Sequence, residues 1–173
     1  MKITITLLFF AIFLFSCKND TKEEQNSLKG KIYTKINEIP ELKNFEFQAG
    51  SMIDYEGKKS IEYKFGISQF FNKGKYLLIL EEKIGGKSKV ISNKILDTVM
   101  INSLKEDEII SLCTCRVNGI NNSEIIAVVK DEKNDTEYLN KIVKAWKANS
   151  IDGRIIPINN LNEIDCVNES YGL

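Results

Sequence analysis

Apolar residues change their spacing several times along this chain, and each change marks an element. Residues 3–16, from Ile3 to Ser16, carry no charge and are mostly apolar. Lys18 to Ser27 then reads Lys-Asn-Asp-Thr-Lys-Glu-Glu-Gln-Asn-Ser, without an apolar side chain. Leu28, Ile32, Ile36 and Ile39 fall three or four apart, which predicts a short helix stopped at Pro40. Ile61, Tyr63, Phe65 and Ile67 alternate with Glu62, Lys64 and Gly66, the period of a half-buried strand. Tyr76 to Leu80 is a continuous apolar run and predicts a central strand, with Gly85-Gly86 as the hairpin turn before Val90-Ile91. Glu108 to Val117 and Ser123 to Lys130 predict a second hairpin around Asn118 to Asn122.

The period then shifts again. Tyr138, Leu139, Ile142, Val143 and Trp146 define one face of an amphipathic helix at about 135–149, with Lys141, Lys144 and Lys147 on the other. Asn134 and Glu137 fit its capping box, and Trp146 its core anchor. Arg154 to Ile158 predicts a short edge strand, because Pro157 cannot donate a ladder hydrogen bond. Hairpin-connected strands plus one good helix give an α+β class: a mainly antiparallel sheet, the C-terminal helix and a short N-terminal helix. Beyond residue 27 there are two prolines and no repeat or low-complexity break, so residues 28–173 form one domain. A domain of this size buries close to ~70% of its unfolded surface and needs no metal to hold a core.

Charge and composition narrow the function classes. Lys plus Arg and Asp plus Glu both number 24, so there is no basic excess of the kind a nucleic-acid partner requires. The chain has no His. That excludes Ser-His-Asp and Cys-His relays, HExxH zinc sites and imidazole switches.

The apolar N-terminal run is shorter than the roughly 20 residues of a spanning helix, and with Lys2 before it and Ser16 at its end it has the pattern of a secretory signal. Leu14-Phe15-Ser16-Cys17 resembles a bacterial lipobox. The resemblance covers about the first tenth of the chain. It implies a signal peptide at residues 1–16, a diacylglyceryl-linked and acylated Cys17 (the lipidation site) and a tether over 17–27. Acyl chains of that number anchor a protein stably without a membrane helix. Having no apolar side chain, the tether is predicted flexible, with an average span of about 17 Å. Lys18 after the Cys resembles an outer-membrane rather than an inner-membrane destination. Lys18-Asn19-Asp20 and Lys22-Glu23-Glu24 resemble the Lys-plus-acid signals that carry lipoproteins to the surface in some Gram-negative groups, and read equally as soluble linker. Periplasmic and surface-facing placements both stay open.

Candidate chemistry is sparse. Gly85-Gly86-Lys87-Ser88 matches the end of a phosphate-binding loop, but position 81 is Glu81 where that loop needs Gly, and strand rather than helix follows. Glu81 and Glu82 are neighbours in a predicted strand and point to opposite faces, so they cannot converge on one substrate. Glu106-Asp107-Glu108 and Asp131-Glu132 lie at element ends, where solvated charge is the default. Three thiols remain beside Cys17: Cys113, Cys115 and Cys166. Cys113-Thr114-Cys115 within one strand puts both sulfurs on one face, and Cys166 can reach back to either as a disulfide. The alternatives are reduced core cysteines, or a three-thiolate site for copper(I) or zinc. Asp97-Thr98-Val99 resembles the O-glycosylation motif of exported proteins in some of the same bacteria, making Thr98 the candidate acceptor.

These readings predict a non-enzymatic, membrane-anchored lipoprotein of the cell envelope, at the outer membrane, needing no cofactor and binding a protein or glycan partner. The alternatives are a thiol-based metal or redox protein using Cys113, Cys115 and Cys166, and a toxin-neutralising immunity lipoprotein.

Overall fold

The computed structural model describes residues 27–53, 64–85, 91–131 and 136–172. Cys17, Asn134 and the Gly86–Ser88 stretch lie outside them. The strands are β1 (Ile32–Tyr33), β2 (Glu46–Met52), β3 (Phe65–Asn72), β4 (Lys75–Ile84), β5 (Ser92–Ile101), β6 (Glu108–Leu112) and β7 (Cys115–Val117). They continue with β8 (Ile120–Asn121), β9 (Ile125–Lys130), β10 (Tyr138–Leu139), β11 (Ile142–Asn149), β12 (Arg154–Ile158) and β13 (Ile164–Val167). All pairings are antiparallel. They form three sheets, ordered β1-β5-β4-β3-β2, β12-β11-β9-β6 and β10-β13-β7-β8.

Two strands dictate how the sheets stack. Leu77, Leu78, Ile79 and Leu80 of β4 are each 0% exposed, and all five residues from Ile125 to Val129 of β9 are buried. A strand apolar on both faces must be covered on both faces. Leu78 and Leu80 meet Ile126 and Val128 in the central core between the first and second sheets. Leu77 and Ile79 face the opposite way, under a layer made by Leu28, Tyr33, Ile39 and Leu42. Ile125, Ala127 and Val129 face the third sheet, where Cys115, Leu139, Ile164 and Cys166 close the last core. The molecule is thus four layers thick: N-terminal segment, sheet, sheet, sheet.

The predicted α+β class is overturned: the described residues are mostly antiparallel strand, and their helical content is confined to short turns such as the three-residue 3-10 turns Ile36–Glu38 and Pro40–Leu42. At the N-terminus Leu28 and Ile39 are buried and Ile36 packs against their core, but without a helix: Ile32 is exposed on β1, whereas Tyr33 next to it is buried. Gly30, at φ +85°, turns the chain so that its N–H donates to the Ile95 carbonyl and docks the segment on the first sheet.

The predicted helix at 135–149 is also absent from the described residues. Its apolar positions belong to two strands, β10 and β11, and β11 pairs with β9 and β12. A bulge between Ile142 and Lys144 inserts one extra residue, so Val143 and Trp146, three apart, both reach the central core. That insertion gives a strand a helix-like spacing. Glu137, assigned to a helix cap, instead accepts the Asn168 N–H at its carbonyl.

The 108–130 hairpin is half right. β6 and β9 pair antiparallel from Glu108↔Lys130 to Leu112↔Ile126, but β7 and β8 leave that sheet for the third one. Cys113 makes the corner at φ +61°. Arg116 and Asp165, opposite each other on β7 and β13, share two 2.7 Å hydrogen bonds, and the guanidinium lies 3.2 Å from the Tyr138 ring centroid. This clamp ties β7, β13 and β10 across the outer face.

The edge strand β12 is blunted twice. Its outward Ile155 N–H donates to Asp97 Oδ2 at 2.7 Å, which joins the first sheet to the second, and Pro157, two residues on, has no N–H to offer. Burial on both faces of β4 and β9 has a measurable consequence. Ile79→Ala, under the N-terminal layer, and Ile126→Ala, in the central core, should each cost about 2–5 kcal/mol in urea unfolding. A cost below about 1 kcal/mol at either site, the range of surface changes, contradicts the layering.

Candidate functional site

The corner at Cys113 decides what the three thiols can do. Had the strand run straight, Cys113 and Cys115 would share a face; instead the backbone turns between them. Cys113 packs against the central core, while Cys115 and Cys166 lie in the core beneath the third sheet. Cys115 and Cys166 are opposite in the β7–β13 register and joined by a disulfide spanning 51 residues. Cys113 is the free cysteine, with its thiol pushed up to about 11 by burial, partly offset by a hydrogen bond with Ser51. A thiol at that value is protonated at neutral pH and is a poor nucleophile or ligand. The three sulfurs therefore do not converge, and no group of three metal-ligating side chains occurs among the described residues.

The carboxylates also separate by face. Glu82 pairs with Lys64 at 2.6 Å. Glu81, on the other face, is buried beneath the N-terminal layer. There Ser68 Oγ donates to its Oε1 at 2.8 Å, and the Tyr33 hydroxyl donates to its Oε2. Burial pushes the Glu81 carboxyl above the usual glutamate range, with the Tyr33 and Ser68 hydrogen bonds pulling it back. Burial and then the Glu81 charge push the Tyr33 phenol above its ordinary value, while a hydrogen bond from Asn93 lowers it. This cluster latches β1 to β3, β4 and β5 in a dry layer. Asp107 at the head of β6 pairs with Lys130 at 3.1 Å, and Glu108 accepts the Lys105 N–H at 3.0 Å. Thr98 sits in mid-β5 at 5% exposure, its hydroxyl buried without a partner. A glycosyltransferase would meet that hydroxyl only on an unfolded chain.

What the fold does place together lies at one end of the sandwich. β4 is ten residues long and spans about 30 Å. At its beginning, Lys43, Asn44, Glu46, Phe71, Asn72 and Lys73 line an open groove of about 540 Å³. A second open groove, about 490 Å³, lies at the same end of the second sheet, where Lys130 ends β9 and Ile142 begins β11; Asn140, Lys141 and Asn162 also line it. Lys43 and Lys73 have no ion-pair partner among the described residues. Amides, ammonium groups and the half-buried Phe71 ring suit a ligand with hydroxyls and negative charge. The β3–β4 turn that presents Lys73 has positive φ at Lys73 (46°) and Gly74 (84°), the geometry of a type I′ hairpin. Asn72-Lys73-Gly74-Lys75 between two apolar runs was the sequence signal for this turn; nothing in the sequence marked the grooves.

The N-terminal segment docks on β5 at Ile95 and runs from there to the opposite end. Ile32 and Tyr33 pair with Lys94 and Asn93 near the start of β5. The close of β4 against β5 (Ile84↔Ser92) and the β11–β12 turn after Asn149↔Arg154 lie there too.

Two measurements follow. In denatured but unreduced Cys17→Ala protein, thiol titration should find one thiol per chain, and native protein close to none; three would dissolve the disulfide assignment. Cys166→Ala should cost about 4 kcal/mol in the chain-entropy account. For Glu81, the folded state binds its proton more tightly than the unfolded chain does. Its contribution is fully present below the ordinary glutamate range and is lost as pH rises through the raised folded value. Melting of Glu81→Gln between about pH 4 and about pH 8 should therefore show less loss with rising pH than wild type. Glu81→Ala, which leaves two hydroxyls without their acceptor, should cost about 1–3 kcal/mol. An unchanged pH profile in Glu81→Gln contradicts the assignment.

The chain matches no family model, no curated protein and no solved structure.

Proposed function

We propose that this chain is a lipid-anchored, non-enzymatic lipoprotein of the cell envelope that presents the grooved end of its β-sandwich to a protein or glycan partner. One observation carries the reading. The first described residues dock on Ile95, opposite Glu81 in the far half of β4, and both grooves lie at the other end of the sandwich, about 20 Å along β4. Anchored through Cys17, such a domain holds its grooves away from the bilayer. The lipobox-like Leu14 to Cys17 supplies the anchor, and the Cys115–Cys166 disulfide suits the oxidising compartments outside the cytoplasm. In the first groove, Lys43, Lys73 and the amides of Asn44 and Asn72, beside the one carboxylate of Glu46, favour an acidic, hydroxyl-rich ligand such as an acidic glycan; the second groove adds apolar contact through Ile142, Val143 and Leu161.

Wild-type protein should partition into the detergent phase, and Cys17→Ala into the aqueous phase. A photo-crosslinking residue in place of Asn72, on intact cells, should give a discrete adduct that Lys43→Glu/Lys73→Glu removes while unfolding shifts by less than about 0.5 kcal/mol. Aqueous partitioning of the wild type overturns the anchor. An adduct indifferent to the charge reversals overturns the groove.

A further inference from the structure

The end of the sandwich opposite the grooves has a chemistry of its own. Three of the exposed large apolar side chains lie towards that end: Ile32 at 61%, Ile91 at 53% and Ile151 at 84%, the last the most exposed large apolar side chain among the described residues. Single exposed apolar residues elsewhere, such as Phe47 and Ile109, are ordinary. Isoleucines from three separate segments at one end are not scattered in that way. Ile91 directly precedes β5, and Ile32 pairs with Lys94 three residues along it. Ile151 belongs to the β11–β12 turn, whose Gly153 faces the Leu96 side chain so closely that an added Cβ would lie 3.6 Å from the Leu96 Cβ.

The Ile151 turn is held firmly. Asn149 Oδ1 accepts the N–H of Ile151 at 3.0 Å and of Asp152 at 3.1 Å, and Asn149 Nδ2 donates to Asp152 Oδ2 at 2.6 Å. Ser150, one residue earlier, is 3% exposed and donates to Glu124 at 3.3 Å. The turn therefore pins its polar residues down and leaves Ile151 outward at its apex. Exposed Lys29 and Lys35 lie on the adjoining N-terminal segment, and Lys94 stands opposite Ile32. Exposed Asp152 and Glu38 stand on the same segments, so the apolar side chains, with ammonium groups beside them, supply the bilayer-interface character of this surface.

Resting on the lipid-anchor reading above, we propose that Ile32, Ile91 and Ile151 form a membrane-docking surface that seats this end of the sandwich on the bilayer carrying the acyl chains of Cys17. The chain length selects the occupant. Ten residues separate Cys17 from the buried Leu28, a contour of at most about 35 Å, and Leu28 belongs to the layer that runs to this end. The anchor thus keeps the isoleucines within tether reach of the bilayer, whereas the grooves stand about 20 Å further along β4.

The test uses full-length lipidated protein in vesicles of phosphatidylethanolamine and phosphatidylglycerol. In a Cys113→Ser background, which removes the competing thiol, an environment-sensitive fluorophore is placed on Ile151→Cys or, at the grooved end, on Lys73→Cys. The expected result is a blue-shifted probe at position 151, quenched by iodide at least about threefold less than the probe at position 73, as an interfacial position requires. Ile32→Ser/Ile91→Ser, added to the labelled Ile151→Cys, should reduce that protection while the protein still floats with the vesicles. Equal quenching at both positions in floating protein overturns the docking surface and leaves the anchor standing. Stronger protection at position 73 overturns it by reversing the orientation. Protein that fails to float overturns the anchor itself, and the docking surface with it.

Discussion

Two-sided burial of β4 and β9 is the constraint from which the rest of this fold follows. An antiparallel sheet with one polar face can stop at two layers. Here Leu77 to Leu80 and Ile125 to Val129 leave no polar face at the centre of either sheet. Packing the two sheets together satisfies one side of each strand. The other sides require two more covers, and the chain makes them from its remaining segments: residues 28–45 over the first sheet, and β7, β8, β10 and β13 over the second.

Those covers are thin, and each is held by something besides apolar area. The N-terminal cover has only a two-residue strand to pair with β5, and the Tyr33–Glu81–Ser68 cluster adds directional bonds in a dry layer at the cost of burying a carboxylate. The third sheet has strands of two to four residues, and the Cys115–Cys166 disulfide and the Arg116–Asp165–Tyr138 clamp fasten its inner and outer faces. Disulfide and clamp are local solutions to one problem, since such short strands bury little area by themselves.

How much of this could be read in the sequence depended on how local each cause was. The apolar run at β4, the hairpin pairing of β6 with β9 and the edge position of Pro157 follow from short-range chemistry, and all were legible. The 135–149 segment was not, because Val143 and Trp146 mimic a helical face through a bulge whose register is set by β9. Lys-Ala-Trp-Lys-Ala is compatible with a helix by propensity, and the need to complete the second sheet overrode that preference. Cys113 hid a chain reversal: a non-glycine residue at φ +61° carries no sequence mark, so the expected shared face for Cys113 and Cys115 failed with it. The grooves were equally silent, since Lys43 and Lys73 are 30 positions apart and meet only through the packing of the N-terminal layer. The lipobox-like segment lies outside the described residues, so the anchor stands on Leu14 to Cys17 themselves.

The polarity of the sandwich, with the N-terminal segment running to one end and grooves at the other, exists only if the four layers are one cooperative unit built on β4 and β9. Native-state hydrogen exchange on the full chain, followed residue by residue, tests this directly. The slowest amides should be those of β4 and β9, exchanging with one shared free energy equal to that of global unfolding. If β9 opened at a much lower free energy than β4, or if amides of residues 138–149 were protected in a helical pattern, the layered account would be contradicted.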